Sequence, residues 1–450
     1  MELDEAVVVR MVSTALGDPS IGIADWSART LAGGMTQALG TSEGVLRVTG
    51  AGVSASRRTP WSIIIKTLRR VAEHDDPGDW DYWKREALAY RTGLLSDLPD
   101  GFAAPRCFGV EEVDDERVVI GLEDVRDAGP NPWPLDRYGL AARHLGRFNG
   151  ANQTGGRPDW SWLSNGRIRQ WLSQADRGFQ EFDVLARSPI GSAWLTDESV
   201  ARTKRAWRDR RPLLDALGRL PRCLCHHDAF RRNLIATRTE DGHDLTVAID
   251  WAGVGMGVVG EDLATLVSIS LQFLEVDAGD AAQLDRIAFE GYLAGLRDVG
   301  AVIDERTVRF GFAAAAHLLM GVGGTGGWLA WLVEEEDRPR VAEGIIGRPI
   351  DEILAQWRGL QPYLLDLGDE AHGLTSELGR IARQTPFANK PEHVLCAPDR
   401  SQTCGYPLGI PVHPDRASRR VANDVDRERL IQSREWVDVD LAVSVAVKAS

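Results

Sequence analysis

The sequence predicts an α+β chain built in two lobes, mainly β in its first part and mainly α after it. Three observations carry this. Over residues 1–124, β-branched and aromatic runs alternate with turn-forming residues. Beyond residue 124, apolar positions recur at helical spacing. One short hairpin, near residues 234–249, interrupts that helical stretch.

In the first part, residues 26–31 read as a strand, Ala32-Gly33-Gly34-Met35-Thr36 as a turn, and 44–49 as a second strand. Residues 54–60 read as a polar connector. A third strand follows at 61–68, WSIIIKTL, with β-branched residues on both sides of Lys66. A helix is expected over 80–95, then strands at 107–112 and 117–122. Past Asp124, helices are expected at 135–149, 167–186 and 198–217. Strands at 234–237 and 245–249 are joined by Glu240-Asp241-Gly242, and helices resume from Glu261 to about residue 366. From about residue 373, prolines, arginines and polar residues scatter without a period, and this stretch reads as a tail of uncertain order. The expected parts are therefore 1–124, 125–372 and 373–450, with no internal repeat.

Composition narrows the function classes. The chain has 450 residues and a formal net charge of -14, which argues against a nucleic-acid binder and suits a neutral or cationic partner. Five cysteines, an odd number spread thinly, read as reduced thiols of a cytoplasmic protein. Cys223 and Cys225 could be metal ligands. Alternation on a buried strand fits better, since no further Cys/His pair at zinc spacing accompanies them. The first ten residues, MELDEAVVVR, lack the basic start and apolar core of a signal peptide. Residues 311–333 carry no Asp, Glu, Lys or Arg and are long enough to span a bilayer. Their glycines instead predict a buried helix ending at the Gly321–Gly327 cluster, then a turn and a second apolar piece, so no membrane partner is expected.

The strongest chemical signal is Cys225-His226-His227-Asp228-Ala229-Phe230-Arg231-Arg232-Asn233, followed by Ala248-Ile249-Asp250-Trp251. Phosphoryl transfer to a hydroxyl needs a carboxylate to orient the hydroxyl and accept its proton, and oxygen ligands for magnesium. Asp228 suits the first role; Asn233 and Asp250 suit the second. Alone, each residue has an ordinary reading: a solvated lysine, a surface glutamate, an aspartate in a turn. Their order along the chain is what sets them apart.

The pattern His226-x-Asp228-x-x-x-x-Asn233 with Ile249-Asp250-Trp251 resembles the catalytic loop and metal-binding segment of the aminoglycoside phosphotransferase family, small-molecule kinases with a protein-kinase-like fold. The resemblance extends over about residues 25–365. It implies a nucleotide-binding N-terminal lobe and a catalytic, substrate-binding C-terminal lobe. It implies Lys66 as the phosphate-contacting lysine, Glu86 as its ion-pair partner, Gly33 and Gly34 as a nucleotide-covering loop, and Glu123 to Val125 as the hinge whose backbone binds the adenine edge. ATP is the implied phosphoryl donor, with GTP open, together with Mg2+ and a small-molecule hydroxyl acceptor. Where the family often has glycine between the His and Asp, this chain has His227. His226 and His227 are read as structural, and Asp262, in Gly260-Glu261-Asp262-Leu263-Ala264, as orienting the loop or capping a helix.

Two rivals stand beside this reading. Gly255-Met256-Gly257-Val258-Val259-Gly260 matches a dinucleotide fingerprint after a strand and before a helix, but no second parallel strand ending in an acidic residue follows. A kinase-like protein that binds without turnover would have lost its base or metal ligands, and Lys66, Asp228, Asn233 and Asp250 are all present. The acceptor is not legible. Trp160, Trp162, Trp171, Trp194, Trp328 and Trp331 suit either stacking on a ligand or a core, and Glu334 to Asp337 reads as a solvated acidic helix end. Oligomeric state is not legible either.

Overall fold

The computed structural model describes residues 4–31, 42–54, 57–153 and 160–384. Helix α1 (Glu5–Leu16) begins where the Asp4 side chain accepts from the Ala6 amide and ends at Gly17, whose φ of 66° is the left-handed conformation glycine adopts without strain. It was not among the expected elements, although both cap residues are plain in the sequence. Its Val7, Val8, Met11 and Val12 are buried against Val48, Ile63 and Ile65.

That apolar face belongs to a five-stranded sheet made of β1 (Gly22–Leu31), β2 (Ser42–Ser54) and β3 (Arg57–Arg69), then, after helix α2 (Arg85–Arg91) and strand β4 (Phe102–Ala103), β5 (Cys107–Asp114) and β6 (Arg117–Glu123). The sheet is antiparallel throughout, in the order β1-β2-β3-β6-β5. Of the expected connector at 54–60, Ser54 and residues 57–60 are strand instead: β2 and β3 stay paired out to Ser54 and Arg57. Proline is tolerated at position 60 because β6 pairs β3 only from Ile63 to Arg69, leaving Pro60 with a strand on one side only. The expected helix at 80–95 shortens to α2. The buried Arg85 guanidinium collects the carbonyls of Pro77 and Trp80, which holds the preceding residues in a loop.

The second lobe opens with α3 (Leu135–Ala151), strand β7 (Ser164–Asn165) and α4 (Arg167–Gln174). The single helix expected at 167–186 is three: α4, α5 (Asp176–Gln180) and α6 (Phe182–Ala186). Next come α7 (Pro189–Trp194), α8 (Asp197–Arg208) and α9 (Arg210–Leu217), then β8 (Arg222–Cys225), the hairpin β9 (Leu234–Arg238) and β10 (Asp244–Ala248), and β11 (Gly255–Val258). Two small sheets result, β4-β10-β9 and β7-β11-β8. Helices α10 (Glu261–Gln272), α11 (Ala281–Asp298) and α12 (Glu305–Ala316) follow, then a π-helical stretch at His317–Gly324, α13 (Thr325–Glu334), α14 (Arg338–Ile346) and α15 (Ile350–Gln384). Helix α15 carries the helical region past the end expected near residue 366.

The glycines of 321–327 do not end a helix, as the sequence led us to expect. The chain runs from α12 through the π-helical stretch into α13. They serve close approach: a Cβ on Gly323 would lie 2.7 Å from Trp171 Cδ1, and one on Gly326 would lie 2.5 Å from Phe179 Cε2. Among the described residues no helix is long and apolar enough to cross a membrane. Trp194, Trp328 and Trp331 pack with Trp357 in a second core beside α15, so these tryptophans are structural.

Helices α3 and α11 touch backbone to backbone. A Cβ on Gly295 would stand 1.9 Å from the Arg143 carbonyl oxygen, and one on Gly146 would stand 2.2 Å from that of Tyr292. An inserted methyl must push two helices apart, and overpacking of this kind costs about 1–3 kcal/mol. Gly295→Ala is expected to lower the unfolding free energy by that amount, read as a lower denaturation midpoint with an unchanged denaturant slope. An unshifted midpoint would contradict the close packing.

Candidate active site

Strand β3 carries Lys66 into the interior between the lobes. Its ammonium lies 2.5 Å from Glu86 Oε2 and 2.8 Å from Asp250 Oδ1, and its side chain is 7% exposed. The sequence therefore named three residues, far apart in the chain, that the fold brings to one point. Burial works against the Lys66 charge, but Asp250 and Glu86 outweigh it and raise its pKa above the ordinary lysine value. Burial raises Asp250 as well, and the facing Lys66 more than reverses this, holding it below the usual carboxylate range. Glu86, deeper still, is raised by burial despite Lys66.

Glu86 is held in place by its neighbour. The Arg85 guanidinium, fully buried, donates from Nε to the Trp162 carbonyl at 2.8 Å and from Nη1 to those of Trp80 at 2.7 Å and Ala252 at 3.2 Å. It ties α2 both to the segment before β7 and to the turn after Asp250. Its bonds run to carbonyl oxygens, and burial lowers its pKa to about 10. The sequence carries no signal for this role, because an arginine on a helix is ordinarily solvated.

The loop after β8 carries Asp228 and Asn233. Asn233 Nδ2 donates to Asp228 Oδ2 at 2.6 Å and to the Asp228 carbonyl at 3.0 Å, so the two expected residues hold each other. Burial first, then the nearby Asp250 charge, push the Asp228 carboxyl up to about 7, opposed by Arg167, Asn233 and Lys66. Asp262 fixes the loop from behind. Its Oδ2 accepts from the His226 amide at 2.9 Å and its Oδ1 from the His227 amide at 2.8 Å. Asn149 Nδ2 on α3 also donates to Oδ2, at 2.9 Å. Of the two roles expected for Asp262, loop orientation is the one observed. His226 is structural, as expected: Nε2 donates to the Ile249 carbonyl at 3.0 Å and Nδ1 accepts from the Asp228 amide at 3.2 Å.

Asp250 follows β10 with φ 61°, a left-handed conformation rare outside glycine, which turns its side chain back toward Lys66. Asn233 Oδ1 is buried with no hydrogen-bond partner among the described residues. A buried amide oxygen without a donor is costly, and beside a carboxylate such as Asp250 it fits a hard divalent cation.

The remaining expected residues stand differently. Gly33 and Gly34 lie outside the described residues, between β1 and β2. Glu123 closes β6, and its side chain reaches Arg106 at 3.2 Å. Its carbonyl accepts from the Val125 amide at 3.1 Å, so the two backbone groups expected to face an adenine edge are bonded to each other. The sequence missed the anchor between them: Asp124, whose side chain is 4% exposed, accepts from Arg47 at 3.0 Å and from Ser62 Oγ at 2.5 Å. It also missed Arg167 at the start of α4, a buried guanidinium whose charge lowers the pKa values of both Asp228 and Glu261.

The glycines of the apparent dinucleotide fingerprint are accounted for by packing. A Cβ on Gly255 would lie 2.0 Å from Ser164 Oγ. Gly260 adopts φ 92°, and a Cβ there would lie 2.6 Å from the Phe312 amide. Cys223 and Cys225 are both buried on β8 with their sulfurs 3.7 Å apart, as the strand reading expected.

Residues 101–300 match the model of the phosphotransferase enzyme family. No curated protein sequence matches the chain. Several solved structures are similar to it. Amicoumacin kinase hAmiN, in complex with AMP-PNP and Ca2+, shares 13% identity over 78% of this chain and 94% of its own, with a TM-score of 0.46. Spectinomycin phosphotransferase APH(9)-Ia, in complex with ADP and its antibiotic, shares 12% over 80% of this chain and 100% of its own, at 0.40. An aminoglycoside phosphotransferase from Alicyclobacillus acidocaldarius shares 15% over 86% of this chain and 98% of its own, at 0.42. From residue 101 to residue 300, the stretch that contains Asp228, Asn233, Asp250 and Asp262, the chain carries the sequence pattern of the phosphotransferase enzyme family.

Proposed function

We propose that this chain is a small-molecule O-phosphotransferase, moving the γ-phosphoryl group of ATP to a hydroxyl of a sugar, amino sugar, antibiotic or similar acceptor. The observation that carries the reading is the convergence of Lys66, Glu86 and Asp250 at one buried point, next to an Asp228–Asn233 pair whose amide oxygen has no donor among the described residues.

Each residue then has a task. Lys66, charged and held by two carboxylates, meets the nucleotide phosphates. The Glu123 carbonyl and Val125 amide exchange their mutual bond for the adenine edge. Asn233 Oδ1 and Asp250 would hold Mg2+, which when bound neutralises charge on the phosphate oxygens. Asp228, oriented by Asn233, accepts the hydrogen of the acceptor hydroxyl. As that oxygen forms its bond to the γ-phosphorus, the bond from phosphorus to the leaving β–γ bridging oxygen breaks. The proton goes to the Asp228 carboxylate, and ADP departs with the electron pair of the broken bond. Substituting the base acts on the transition state, so its signature is a loss of rate without loss of nucleotide affinity.

The test is a screen of hydroxyl-bearing acceptors with ATP and Mg2+, reading ADP release and phosphorylated product. With an acceptor in hand, Asp228→Asn is expected to lower kcat by about 10² to 10⁴-fold, while calorimetric titration finds the nucleotide Kd nearly unchanged. Near-normal kcat in that variant would place the base elsewhere. Lys66→Ala is expected to weaken nucleotide binding as well as rate.

Asp250→Ala is expected to nearly abolish turnover at any Mg2+ concentration, and Asn233→Ala to raise the Mg2+ concentration needed for half-maximal rate. Full activity of Asp250→Ala at ordinary Mg2+ would remove it from the metal site.

A further inference from the structure

The residue between His226 and Asp228 has φ 67°, the left-handed region where a non-glycine residue is strained, yet it is the buried His227. Its ring shows what the strain supports. Nδ1 lies 3.0 Å from the Gly253 carbonyl oxygen and 3.2 Å from Ser164 Oγ. A carbonyl oxygen only accepts, so Nδ1 carries the hydrogen. In a neutral ring Nε2 is then a lone pair. It faces Glu261 Oε1 at 3.4 Å, and neither atom has a hydrogen-bond partner among the described residues. The other oxygen of Glu261 accepts from the Val258 amide at 3.1 Å. One proton on Oε1, shared toward Nε2, satisfies both orphaned atoms at once.

We propose that Glu261 and His227 form a neutral acid–imidazole pair that positions Asp228, making the geometry of the loop depend on the protonation of Glu261. The pair bridges the loop to the turn after Asp250 through Gly253, and to β7 through Ser164. An imidazolium facing a carboxylate would place two charges where neither meets water, whereas the neutral pair needs none.

The surroundings bear on which form is present. Arg167 of α4 faces both members, Arg222 and the Cys225 thiol of β8 and Asp262 of α10 lie near Glu261, and His226 and Arg85 of α2 lie near His227. For His227, burial first and then Arg167 drive the pKa well below the usual value. For Glu261, burial outweighs Arg167 and pushes it up to about 7. The stabilisation from a carboxyl with a raised pKa is complete below its unfolded value and is lost as pH rises through the folded one. The pair therefore opens as pH climbs through about 7. Gly257 leaves the gap free: a Cβ there would lie 2.6 Å from His227 Nε2 and 2.8 Å from Glu261 Oε2.

Any effect on turnover rests on the phosphotransferase reading, but the pair can be tested without it. In the full chain with ¹⁵N-labelled histidine, the His227 ring, assigned by its loss in His227→Gly, is expected to show hydrogen on Nδ1 and a hydrogen-bonded, unprotonated Nε2 below pH 7. His227→Gly suits the left-handed backbone and should fold. In Asp228→Asn, which removes that carboxyl's own titration near 7, the backbone amide resonance of position 228 is expected to shift between pH 6 and 8. Adding Glu261→Gln, whose amide donates to Nε2 at every pH, should abolish that shift. Hydrogen on Nε2, or a position-228 resonance that titrates identically with and without Glu261→Gln, would overturn the proposal. If a phosphorylated product is found, kcat should rise less between pH 6 and 8 in the wild type than in Glu261→Gln, because opening of the pair opposes the gain from ionising Asp228, while the nucleotide Kd stays level. If the resonances behave as expected but no acceptor is ever phosphorylated, the phosphotransferase reading fails and the pair stands.

Discussion

Asp262 sits at the second position of α10, out of reach of solvent, and its carboxylate accepts from the His226 and His227 amides and from Asn149 Nδ2. Asn149 is held in turn through its Oδ1 by the Tyr292 hydroxyl at 2.7 Å, on α11. The loop carrying Asp228 therefore hangs from a helix start by two adjacent backbone amides, and that helix start is braced by α3 and α11. Hydrogen bonds to a charged acceptor contribute about 1.5–3 kcal/mol each, and more is lost if the amides are left buried without a partner. The close contact of α3 with α11 through Gly146 and Gly295 thus reaches the chemistry: it sets where Asn149 stands, and Asn149 shares the carboxylate that holds the loop.

A second constraint joins the lobes. Lys66 comes from the β sheet, Glu86 from α2 and Asp250 from the helical lobe, and one ammonium satisfies two carboxylates. Alone, such a buried triad would be a poor source of stability, because desolvating the charges offsets most of their attraction. Its value lies in geometry. Arg85 supplies the support, pinning α2 to carbonyls on both sides of the cleft, so that Glu86 and Asp250 meet Lys66 from fixed directions.

Residues 225–262 also show how one stretch of sequence carries two patterns. The glycines at 255, 257 and 260 read as a phosphate cradle, and a strand and a helix flank them as that motif requires. In the folded chain their missing side chains make room for Ser164, for the His227–Glu261 pair and for the α12 backbone. Spacing alone does not distinguish a glycine that admits a ligand from one that admits a neighbouring side chain, because the steric requirement is the same.

The sequence by itself determined the lobe order, the sheet strands from 107 to 123, the hairpin at 234–248 and the identity of the polar residues in the cleft. These depend on local periodicity and on residue types that suit one chemistry. Lys66, Glu86, Asp228, Asn233 and Asp250 were legible because their order and spacing carry information before folding. Helix α1 is also legible in the sequence, in its caps Asp4 and Gly17, although it is not among the expected elements. Tertiary structure alone decided the rest. The helical stretch at 167–186 breaks into three pieces, and the glycines at 321–327 stay inside a continuous helical run, because contacts with distant segments outweigh local propensity there. Arg85, Asp124, Arg167 and the His227–Glu261 pair gained their parts from burial. A charged side chain in a sequence reads as solvated, and only the packing around it reveals that water is gone and that a partner must take its place.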